Sequence, residues 1–135
     1  MVRIVVIGTY SDTRMIGKVI DELGKRGFEV FPSGKEFENL AKIIQLSDEH
    51  AVSDKTMKKI RRIFDRFMDE IRESDFVYVF NEKEGKEYIG SGTLMQIGFT
   101  LGLKKPIFFF REPHIEEVLS LAGPLVLQLF LEYTE

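Results

Sequence analysis

Apolar residues fall along this chain in two alternating rhythms. Val2 to Ile7 is a nearly continuous β-branched run that stops at Gly8, the pattern of a strand buried on both faces. Met15, Ile16, Val19, Ile20 and Leu23 then repeat at helical spacing, with Ser11 or Asp12 placed to cap the start and Gly27 to end it. Phe28 to Phe31 predicts a short second strand, and Pro32-Ser33-Gly34 a turn. Phe37, Leu40, Ala41, Ile43 and Ile44 predict a short amphipathic helix, and Leu46 to Ser53 a polar loop. The clearest helix follows, marked by Met57, Ile60, Ile63, Phe64, Phe67, Met68 and Ile71, whose Met and Phe positions are expected in the core. Phe76 to Phe80 predicts a third strand, Asn81 to Ser91 a polar loop, and Leu94 to Leu103 a helix. Pro106 to Phe110 predicts a fourth strand, with Phe108, Phe109 and Phe110 buried on both of its faces, and Ile115 to Leu121 a further helix. Leu125 to Leu131 suits a fifth strand or a helix equally, and its apolar surface also suits a subunit interface.

Strands that alternate with helices imply right-handed crossovers and a parallel sheet. The expected architecture is α/β: a three-layer α/β/α, flavodoxin- or Rossmann-like parallel sheet of four to five strands in a single domain, residues 1–135. A chain of 135 residues with 44% hydrophobic residues suits one core without a metal or disulfide staple. The absence of cysteine removes a thiolate nucleophile, a cysteine zinc site and a disulfide framework, and fits a cytoplasmic protein. A formal net charge of -3 argues against a nucleic-acid partner. Lys58, Lys59, Arg61, Arg62 and Arg66 share their helix with Asp65, Asp69 and Glu70, as on a solvated face. The opening MVRIVVIG is too short for a signal peptide, and no apolar run reaches the roughly 18 residues of a membrane span. Charged residues at 30%, rich in Lys and Glu, point weakly to a thermophile.

In open parallel sheets ligands bind outside the carboxyl ends of the strands. The first such loop is Gly8-Thr9-Tyr10-Ser11-Asp12. Its N–H groups and hydroxyls suit an anion or ribose, and equally a capped turn. It lacks the three-glycine dinucleotide fingerprint, and no cofactor is expected. The second loop runs from Asn81 through Tyr88-Ile89-Gly90-Ser91-Gly92-Thr93 into a helix. Its glycines allow close backbone approach, and its hydroxyls sit at a helix start, a good phosphate or ribose cradle. Gln96 lies about one turn further on, near the face of Thr93. A glutamate there would be a nucleophile or base; a glutamine only exchanges hydrogen bonds. His50 and His114 are isolated, and no metal site is expected.

Two motifs carry a family resemblance. The run Asp75-Phe76-Val77-Tyr78-Val79-Phe80-Asn81, followed by Tyr88-Ile89-Gly90-Ser91-Gly92-Thr93-Leu94-Met95-Gln96-Ile97-Gly98 and by Gly102-Leu103-Lys104-Lys105-Pro106, resembles the core of the nucleoside 2-deoxyribosyltransferase superfamily, as does the Gly8-Thr9-Tyr10 loop. The resemblance implies a flavodoxin-like sheet and an N-glycosidic ligand. It makes Gly8, Thr9, Tyr10, Asn81, Tyr88, Gly90, Ser91, Gly92 and Thr93 ligand contacts. It also implies an assembly of at least two copies, since relatives complete their pockets with a neighbour's residues. Family enzymes form a covalent sugar intermediate on the helix glutamate, the position held here by Gln96. Gly90-Ser91-Gly92-Thr93-Leu94-Met95-Gln96 also resembles the signature of lysine-decarboxylase-like phosphoribohydrolases, again with glutamine for glutamate. The implied partner is a nucleoside or nucleotide. Three functions stay open: a binder without transferase activity, an active N-glycosidase or deoxyribosyltransferase working through another carboxylate (Glu87, Asp75 or Asp12), and a flavodoxin-like interaction module without a ligand.

Overall fold

A computed structural model describes residues 1–10, 13–46, 53–122 and 125–126. Strand β1 (Arg3–Gly8) buries Ile4, Val5, Val6 and Ile7, so its β-branched run is covered on both faces. Helix α1 (Thr13–Lys25) turns Ile16, Val19, Ile20 and Leu23 inward. It ends in a Schellman turn: Gly27, at φ 93°, donates to the Gly24 carbonyl, and the Phe28 N–H reaches the Leu23 carbonyl at 3.3 Å. That turn consumes Phe28, so strand β2 spans Glu29–Phe31 and not Phe28 to Phe31.

Helix α2 (Gly34–Leu46) follows. Helix α3 (Asp54–Glu73) is capped by the Ser53 hydroxyl, which accepts the Thr56 N–H at 3.2 Å. Its other end is held by the Ser74 hydroxyl on the Ile71 carbonyl and by Lys105 Nζ, which donates to the Arg72 and Ser74 carbonyls. Only part of its apolar stripe is core. Phe67 and Ile71 are buried, Ile60, Ile63, Phe64 and Met68 are half-buried, and Met57 is exposed. The predicted solvated face holds for Lys58, Lys59, Arg61, Arg62, Arg66, Asp65 and Asp69, which are exposed, whereas Glu70 is half-buried and pairs with Arg3 and Arg66.

Strand β3 (Phe76–Phe80) leads into a feature absent from the sequence-based expectation. Strands β4 (Glu82–Lys83) and β5 (Lys86–Glu87) pair as an antiparallel ribbon inside the expected loop. Glu84 and Gly85 turn it with positive φ angles of 52° and 77°, the geometry of a type I′ hairpin. Helix α4 (Ser91–Gly102), strand β6 (Ile107–Phe109), helix α5 (Glu116–Ala122) and strand β7 (Leu125–Val126) complete the order. Phe108 is half-buried, and Phe110 is buried beyond the strand end, so the expected strand is shorter and less enclosed. Of the ambiguous apolar stretch, residues 125 and 126 are strand; 127–131 lie outside the described residues, as do Ser11, Asp12 and His50.

The five-stranded sheet runs β2-β1-β3-β6-β7 with every pair parallel. With the ribbon set aside this is the flavodoxin-like order, which reverses direction between β1 and β3. Helices α3 and α4 both pack on β1 and on each other. Gly8 allows the two central strands to close at their carboxyl ends. Its φ is 138°, a Cβ there would collide with the Phe80 carbonyl, and Thr9 donates to that carbonyl at 3.2 Å. Among the described residues no helix is long and apolar enough to cross a membrane.

Gly8→Ala is expected to lower unfolding free energy by at least ~2 kcal/mol, through the strained φ and the displaced Phe80 carbonyl. Urea unfolding against the parent chain measures this, and an unchanged midpoint contradicts it.

Candidate functional site

At the carboxyl end of β1 a cleft of about 180 Å³ opens between α3 and α4. Gly8 and Tyr10 come from the β1 loop, Gly92, Thr93 and Gln96 from α4, and the remaining wall is Ile44, Ile60, Ile63, Phe64 and Phe67. Gly92, Thr93 and Gln96 share a helix face because they lie three and four residues apart. Exposure falls along that face: Gly92 is exposed, Thr93 half-buried, and Gln96 only 8% exposed. Helix α4 starts at Gly90 in an extended conformation with no side-chain cap. The first N–H groups of the helix, at Ser91, Gly92 and Thr93, have no intrahelical acceptor and add the positive end of the helix dipole at the mouth of the cleft.

Among the described residues, Gln96 is the buried polar side chain of the lining. Its backbone carbonyl accepts the Thr100 hydroxyl at 2.7 Å. Its carboxamide makes no hydrogen bond to any described residue. Tyr10 contributes a ring to the wall, edge-on to Phe67 at 5.9 Å between centroids. Its hydroxyl donates to the Val6 carbonyl at 2.9 Å, and burial raises its pKa, so it presents neither a free donor nor a phenolate. Among the described residues no Lys, Arg, His, Asp or Glu lines the cleft.

The residues singled out from sequence therefore divide. Gly8, Tyr10, Gly92, Thr93 and Gln96 meet in this cleft, with Gly90 and Ser91 at the adjoining helix start. Thr9 is buried and spends its N–H on Phe80. Asn81 has no exposure; its Nδ2 donates to the Arg111 carbonyl at 2.8 Å, and the Arg111 N–H donates back to Oδ1 at 2.9 Å. That amide is a clamp between the ends of β3 and β6, with no free donor pair for a ligand. Tyr88 is exposed and lies outside the cleft, under Lys83 Nζ at 5.0 Å from its ring.

Two of the three alternative carboxylates lie away from the cleft, and the third, Asp12, lies outside the described residues. Asp75 sits at the amino end of β3, the opposite end of the sheet, where its Oδ2 accepts the Arg3 N–H at 2.8 Å. Glu87 is in β5, faces the segment between β6 and α5, and accepts the His114 N–H at 2.9 Å. Its side chain is 6% exposed, and it does not line the cleft. The ribbon is further tied down by Arg111 Nη2 on Glu82 Oε1 at 3.2 Å. His114 is exposed, and among the described residues no cluster of His, Asp and Glu could hold a metal ion.

Sequence analysis missed the apolar wall. Ile60, Ile63, Phe64 and Phe67 have the spacing of any core stripe, and nothing in that spacing separates a core position from the lining of a cleft.

No family model matches the chain, and no curated protein matches its sequence. Two solved structures share its fold. One is the CMP N-glycosidase BcmB of Clostridium botulinum, at a TM-score of 0.56 and 15% identity, with 94% of this chain and 90% of that one covered. The other is a 2-deoxyribosyltransferase of the psychrotolerant bacterium Bacillus psychrosaccharolyticus, at a TM-score of 0.59 and 18% identity, covering 93% and 85%.

Asn81→Leu is expected to cost about 2 kcal/mol, because it leaves the Arg111 N–H and carbonyl without their partner. Chemical denaturation of the variant checks this; a midpoint equal to that of the parent would show that the clamp contributes nothing.

Proposed function

The chain has the fold of the nucleoside 2-deoxyribosyltransferase-like superfamily, and on that premise we propose that it binds a nucleoside or nucleotide in the α3–α4 cleft without transferring the sugar. The supporting observation is Gln96. It holds the position that the sequence resemblance aligns with the family nucleophile, and it lies buried against the cleft. A carboxamide does not ionise and is a poor nucleophile, so a covalent sugar intermediate does not form on this side chain. The alternative of another carboxylate loses its support at Glu87 and Asp75, which lie elsewhere. The binding role draws support from the apolar wall, the open N–H groups at the start of α4, and the neighbours' named chemistry, glycosidic cleavage of CMP and 2-deoxyribosyl transfer.

An assembly of at least two copies belongs to the same proposal. Met57, Leu94 and Met95 are exposed on the two helices that form the cleft, and sedimentation of the purified chain tests it.

Isothermal titration with nucleosides and nucleoside monophosphates should give saturable heat for at least one ligand. A panel without any binding refutes the proposal. The parent chain should release no free base from the ligand it binds; turnover by the parent would restore the enzymatic alternative. Glu87→Gln and Asp75→Asn should leave the affinity unchanged, and loss of binding in either would return that carboxylate to the site.

A further inference from the structure

The cleft has a direction. Oxygen- and anion-seeking groups gather at its mouth, where Ser91 and Gly92 are exposed and the N–H groups of the helix start are open. Beside Gln96 its most buried lining is Tyr10 and Phe67, and the half-buried Ile60, Ile63 and Phe64 complete the apolar wall. A sugar driven into that part would bury several hydroxyls against hydrocarbon, with only the Gln96 carboxamide among the described residues to receive them. A planar heterocycle would meet ring and branched-aliphatic surface, which suits its faces. The volume of about 180 Å³ also falls below the range of roughly 300–1,000 Å³ typical of pockets that enclose a drug-sized ligand whole. A single ring system with its substituent left outside is the better match.

Gln96 supplies what such a ring lacks. The residue is 8% exposed, and its carboxamide makes no hydrogen bond to a described residue. An amide left so is costly unless something else pairs with it. It offers one acceptor and a pair of donors side by side, the complement of a lactam edge or of a ring nitrogen beside an exocyclic amine.

We propose that Gln96 is a specificity residue that reads the hydrogen-bonding edge of a nucleobase seated base-inward in the α3–α4 cleft, with the sugar at the mouth over the start of α4. This rests on the proposed nucleoside or nucleotide ligand and reverses the role that the resemblance implies for this position, from attacking a sugar to recognising a base. The pairing is neutral, so it needs no proton transfer.

The test is calorimetric titration with adenine, guanine, hypoxanthine, cytosine and uracil, each beside its nucleoside and nucleoside monophosphate. At least one free base should bind within about tenfold of its nucleoside. Gln96→Leu, which keeps the side-chain bulk, should weaken base and nucleoside alike by about tenfold or more. Gln96→Met serves as a second variant, and an unchanged thermal midpoint shows that either has kept its fold. Nucleosides that bind while their free bases do not would overturn the base-inward seating. Binding undiminished in both variants would overturn the reading role of Gln96. If no base, nucleoside or nucleotide binds at all, the proposed function fails together with this assignment, a result distinct from the other two.

Discussion

The close approach of β1 to β3 at Gly8 organises what surrounds it. Without a Cβ, Gly8 passes against the Phe80 carbonyl, and Thr9 donates to that same oxygen. The chain then leaves the sheet at its switch point, where the strand order reverses and a crevice opens. Tyr10, the next residue, is thereby set into the wall with its hydroxyl turned back to Val6. Across the crevice stand α3 and α4, both packed on β1, so the distance between their facing side chains follows from the central strand pair. One missing methyl group therefore affects sheet closure and cleft geometry together.

A second constraint acts at the neighbouring strand end. The segment between β3 and α4 would be a long polar loop if nothing held it. Instead a type I′ turn at Glu84-Gly85 folds it into a ribbon, and the Asn81 amide grips the backbone of Arg111 from both sides. Glu82 and Glu87 add contacts to Arg111 and to the His114 N–H. These polar residues carry the geometry of the α4 start through their hydrogen bonds to one another and to the backbone. A polar residue close to a cleft is thus not automatically part of its chemistry. Asn81 and Glu87 are supports, whereas Gln96 is buried with its carboxamide uncommitted.

The proposed loss of sugar transfer and the proposed reading of a base have one physical origin. Replacing a carboxylate by a carboxamide removes a charge and adds donors without changing the shape of the side chain. In a cleft whose described lining has no ionised group, that exchange removes the nucleophile and leaves a neutral partner suited to a heterocyclic edge. A buried carboxylate would need a compensating charge there; an amide needs only a hydrogen bond.

Periodicity alone was enough to recover the alternation of strands and helices, the parallel sheet and the glycine-rich start of α4, because strand and helix repeats are local and the buried stripes in this chain are long. Glycine at position 8 and glutamine at position 96 were equally plain as residue types, so the suspicion about catalysis was legible from the residues and the family pattern together. Other assignments required the assembled structure. Phe28 went to a Schellman turn, the ribbon closed inside an expected loop, and Asp75 fell at the wrong end of the sheet. Phe64 and its neighbours on α3 line an open cleft, Phe67 while still buried in the core. The reason is the same in each case. Spacing along a chain says which residues share a face, but what that face meets, whether sheet, partner amide or open cleft, depends on elements far away in sequence.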